Sequence, residues 1–171
     1  MQTPLQNSIQ TLISSQFKWK LELFWLIFTL ILILLVQIPF FGVFYHPKYT
    51  FSNILFIVVA VFATRHIFLL KYSPLGLAPI GLKIALMLLS LPIIFLLIEY
   101  IQNFTEFLDN EGMLGFQEYF KTRNPNHQSE IISYLRKEYV FTGVAAVISM
   151  IFLPFRLLMS IWRVYNNTGK V

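Results

Sequence analysis

Four apolar runs, each about as long as a bilayer is thick, dominate this sequence: about 22–42, 51–71, 82–102 and 139–162. A helix needs about 20 mostly apolar residues to cross a hydrocarbon core about 30 Å thick. Only helices and closed barrels satisfy their backbone groups in such a core. The runs lack the strict alternation of a barrel strand. They therefore predict an all-α polytopic membrane protein with four transmembrane helices. Composition agrees, with 57% hydrophobic and 12% charged residues in 171. A soluble domain carries roughly twice that charged fraction, and so short a chain cannot hide so much apolar surface in one core. A soluble enzyme, a disordered chain, a collagen and a disulfide scaffold are all excluded; there is no cysteine.

The first run is read as a retained span. A mostly polar stretch of roughly twenty residues precedes it, and Ile38-Pro39-Phe40-Phe41 at its exit is too bulky for a signal-peptide cleavage site. In residues 1–20, Leu5, Ile9, Leu12, Ile13 and Phe17 recur at helical spacing, which fits either an interfacial helix or a frayed tail. Cytoplasmic loops retain more Lys and Arg. With the amino terminus inside, Lys18, Lys20, Lys71, Lys83, Arg163 and Lys170 lie on the cytoplasmic side. Both termini are then cytoplasmic, in a plasma or inner membrane. The thirteen Lys and Arg form no patch, so nucleic acid is not an expected partner. The expected partners are membrane lipid and other membrane subunits or further copies of the chain.

The long external loop, about 103–138, is too aromatic for disorder and too long to be structureless. A short helix is expected on each side of the turn at 122–128, the second starting near Ser129 and running towards the fourth span. Its aromatic faces are expected on the membrane surface or on the tops of the spans, with a docked partner as the other reading.

Charges inside spans are costly, roughly 3 kcal/mol each on insertion scales, and mark function by default. The candidates are Glu22, Arg65 with His66, Glu99 and Arg156. Arg65 and Arg156 precede Lys71 and Arg163 by about two turns, placing both about 10 Å above the inner boundary, where Glu22 also enters. A Glu22–Arg65–Arg156 cluster fits this spacing, and so does independent snorkelling. Glu99, near the outer end of the third span, fits a cation site, a proton relay, a cap for the long loop or plain hydration. Pro92 and Pro154 each remove one helical hydrogen bond and predict kinks. Arg156, two residues after Pro154, is placed to reach a carbonyl freed at that bend. Gly143, Ala145, Ala146 and Ser149 form the only small-residue stretch in a span, suited to close helix packing.

No catalytic, cofactor or metal motif is present. The histidines lack ligand spacing, residues 106–112 lack the ligand order of a calcium loop, and no nucleophile has a base at motif spacing. No internal repeat of the transporter type occurs. A non-enzymatic membrane subunit or assembly partner is the leading expectation. The alternative is a small transporter or channel using Glu99 and the inner arginines. A lipid-directed enzyme would have only His46, His127 and Glu99 at the outer face.

Overall fold

The computed structural model describes residues 4–112, 114–121 and 124–166, with side chains from Lys20 onward except those of 74, 77 and 164. Among the described residues, four helices are long and apolar enough to cross a membrane. They belong to α1 (Pro4–Gln37), α2 (Pro47–Leu69), α4 (Ile80–Asn110) and α5 (Pro125–Tyr165), with a four-residue helix α3 (Pro74–Leu77) between α2 and α4. The all-α, four-span architecture is thus the one the apolar runs predict.

Proline marks several helix starts: Pro47, Pro74 and Pro125 each begin a helix, where a missing N–H costs nothing. Pro92 and Pro154 instead lie inside α4 and α5, which continue through them. The amino-terminal stretch of α1 joins the first span without a break. The side chains proposed for an interfacial face (Leu5 to Phe17), and that of Lys18, are not among the described side chains, and Lys170 lies outside the described residues.

Helix α5 is the centre of the bundle, packed against both α2 and α4. Lipid is as apolar as leucine, so helices in a bilayer are held by close packing and hydrogen bonds rather than by hydrophobic collapse. Gly143 supplies the closest approach: a Cβ there would lie 2.7 Å from Ile101 Cγ1 and 3.1 Å from Phe56 Cε2. Ala146 is fully buried with Phe56, Leu97, Met150 and Leu153. The small-residue face thus serves contacts within the chain. Ala145 and Ser149 are half-buried, and Ser149 meets Thr64 of α2 at 3.2 Å. By contrast, α1 touches mainly α2 and exposes Leu23, Phe24, Leu30 and Leu34.

The connection between α4 and α5 departs from expectation. Helix α4 runs eight residues past the predicted boundary at 102, to Asn110, and α5 starts at Pro125 and enters the fourth span without interruption. Between them lies a 3-10 turn, Leu114–Tyr119, in place of the expected flanking helix. The reason is packing. Phe104, Phe107 and Phe116 turn inward against Tyr49, with Phe104 and Phe116 fully buried. Continuing α4 buries the first two, and the tight turn returns Phe116 to the same cluster. Gly112, at φ +54, gives the left-handed backbone that ends α4. The connection also pairs with the α1–α2 turn, where Tyr45 N donates to Tyr119 O (3.3 Å) and Lys121 N to Val43 O (2.9 Å). Its aromatic side chains therefore pack on the ends of the helices.

Candidate functional site

Buried polar groups gather at the two ends of the bundle. The end carrying both termini holds Glu22, Arg65, Lys83 and Arg156. Arg65 on α2 is nine-tenths buried and its Nη2 pairs with Glu22 Oε1 on α1. The expected third member does not join them. Arg156 Nε donates instead to the carbonyl oxygen of Ile67, 2.9 Å away. The last four carbonyls of a helix lack helical partners, and α2 ends at Leu69, so Ile67 O is one of these. The acceptor is therefore the end of a neighbouring helix, and not the carbonyl freed by Pro154. A cation there also complements the negative end of the helix dipole.

Lys83 follows the same logic more deeply. The sequence places it as an interfacial charge, yet it is 1% exposed. Its Nζ donates to Gly76 O of α3 and to Ser160 Oγ of α5, both at 3.1 Å. Gly76 is required at this turn, since any Cβ would overlap the Leu70 carbonyl oxygen. His66 makes no ligand-like contact: its Nδ1 meets Phe62 O at 2.7 Å, and its ring lies against Phe62.

The opposite end is built on α2 and α5. Asn53 Nδ2 donates to Glu138 Oε2 at 2.6 Å, and Thr142 Oγ1 donates to Asn53 Oδ1 at 3.0 Å. Beside them the fully buried Tyr139 donates its hydroxyl to Ser52 Oγ at 2.7 Å. Glu138 Oε1 is buried with no hydrogen-bond partner. A linear reading assigns Glu138 to the loop, one residue outside the span, and so misses this network. The available signal was Thr142, one helical turn beyond Glu138, together with Asn53 at the head of an apolar run. Glu99 lies near this end on α4 but is exposed, and it shares no contact with the arginines.

The first turn holds His46, whose ring packs against Tyr119 (4.2 Å between centroids) and Tyr49 (4.4 Å). Its Nδ1 is buried without a partner. Burial pushes the imidazole below its usual pKa, and Lys48 adds repulsion in the same direction. His127 is exposed, 3.7 Å from Glu130. Among the described residues, no group of three His, Asp or Glu side chains is placed to hold a metal ion. In the segment that lacks the ligand order of a calcium loop, Asp109 pairs with Arg136 at 3.5 Å. Compared with known protein families, curated proteins and solved structures, the chain matches none.

Proposed function

We propose that this integral membrane protein is a non-enzymatic subunit or assembly partner in a membrane complex. One observation supports this above others. Between its two polar ends the bundle is closed by Phe56, Ala63, Leu97, Ala146, Met150 and Leu153, all buried. A carrier or pore needs polar groups continuing from one end to the other; between the ends the described core holds Ser90, whose hydroxyl is spent on Met87 O at 2.6 Å, and the Thr64–Ser149 pair, and no buried ionisable side chain. Glu99, on which the transporter alternative depends, faces outward. The partners are other membrane subunits or further copies of this chain, held in a plasma or inner membrane with both termini cytoplasmic.

The test is to extract the protein in native lipid discs and measure the mass of the particle. A defined oligomer, or a second protein at fixed stoichiometry, is the expected result. A bare monomer together with ion or solute flux in proteoliposomes, abolished by Glu99→Gln, overturns it in favour of transport.

A further inference from the structure

Between α1 and α2 lies a groove of about 670 Å³, walled by Leu26, Thr29, Ile33, Val58 and Val61 and ending at Glu22, Trp25 and Arg65. That volume lies within the range of about 300–1,000 Å³ common to small-molecule sites. The wall is apolar, and the Thr29 hydroxyl is already spent on Trp25 O at 2.8 Å. At the polar end two N–H donors, Arg65 Nε and Trp25 Nε1, are buried and lack a hydrogen-bond partner. A buried donor left unpaired costs about 1–3 kcal/mol. Both residues line the groove, which leaves its polar end short of an acceptor.

The length of the groove selects the occupant. From Glu22 to Ile33 the helix rises about 16 Å, roughly half of a hydrocarbon core about 30 Å thick. The groove therefore occupies one leaflet. A helix from another subunit or a second copy would run the full thickness, and its backbone carbonyls are already satisfied internally. A lipid of that leaflet offers phosphodiester and ester oxygens at the right level and an acyl chain for the apolar wall. Charge narrows the class further. At this end Lys20 and Lys71 are exposed cations, and the carboxylate of Glu22 is already taken up by Arg65.

We propose that this groove binds one anionic glycerophospholipid, whose headgroup or ester oxygens accept from Arg65 Nε and Trp25 Nε1 while one acyl chain lies along α1 and α2. The site is independent of the subunit reading and stands whichever way that test falls.

Trp25 is its own reporter. The chain has three tryptophans, so Trp19→Phe with Trp162→Phe leaves Trp25 alone. This protein is placed in phosphatidylcholine vesicles with a minority of phosphatidylglycerol, the brominated chains being carried by each lipid in turn. Brominated phosphatidylglycerol should quench Trp25 several-fold more than its mole share. Arg65→Gln should return quenching to mole share. Thr29→Phe, which fills the groove and leaves the ion pair intact, should do the same and decides the matter if Arg65→Gln does not fold. Quenching at mole share in the parent overturns the proposal, and so does a preference that survives Thr29→Phe.

Discussion

An ammonium group enclosed by protein usually has a carboxylate beside it; Lys83 has a carbonyl and a hydroxyl. Its role is to terminate α3 and to fasten that turn to α5. Lys83→Met keeps the stem and removes both donors, leaving Gly76 O buried with one partner fewer. The expected cost is about 1–3 kcal/mol, seen as a lower unfolding midpoint in detergent. Ser160→Ala, which leaves the Gly76 bond in place, should cost less. His46 answers to pH. Its folded-state pKa is lowered by burial and by Lys48, so the aromatic cluster favours the neutral ring. The stabilisation is complete above the ordinary histidine value of 6.5 and is lost as the pH falls from there towards the lowered pKa. The melting temperature should therefore fall between pH 7.5 and pH 5.5, and His46→Phe should shrink that fall. Of these residue roles only part was legible. Arg65 and Glu22 share a depth in the sequence and do meet. Lys83 and Glu138 read as boundary charges because sequence position gives depth in the bilayer but not which way a side chain turns.

The four spans could be read directly because a bilayer imposes one length and one composition on every helix that crosses it. That constraint ends at the headgroups, which is why the reading failed just beyond them. Residues 103–110 are less apolar than the span, yet α4 continues through them because Phe104 and Phe107 pack on Tyr49 and Tyr139. Such long-range aromatic contacts leave no local period to detect. The small-residue stretch of α5 was visible, and the structure adds what it faces. Gly143→Leu would drive a side chain into Ile101 and Phe56. It should cost about 1–3 kcal/mol as overpacking, and Val144→Leu next to it, pointing outward, should stay within about 0.5 kcal/mol. Thermal unfolding of the two variants separates packing within this chain from a contact between chains. If Gly143 served only an intermolecular contact, the monomer's melting point would not move.

Four crossings put the start of α1 and the finish of α5 on one face of the membrane, and we propose from the distribution of charge that this face is the cytoplasmic one. Seven of the eight acidic residues lie from Glu99 to Glu138, all towards the end where α4 meets α5, and Glu22 alone is at the other. That end also holds five of the thirteen cations, Lys48, Lys121, Arg123, Arg136 and Lys137, four of them in the long segment between the third and fourth spans, so the orientation rests on the greater weight of Lys and Arg in the shorter segments of the other face. Lys83 counts in the topogenic tally even though it finishes buried, because orientation is set during insertion and packing follows. The absence of cysteine makes the arrangement directly measurable. Glu118→Cys and Glu130→Cys occupy exposed positions and should react with a membrane-impermeant maleimide applied to intact cells. Lys71→Cys and Tyr72→Cys, equally exposed in the connection between α2 and α4, should react only after permeabilisation. The reverse pattern would invert the molecule and put the lipid groove in the other leaflet. Labelling of both pairs from the same side would rule out the four-span arrangement itself, since positions separated by α4 must lie on opposite faces.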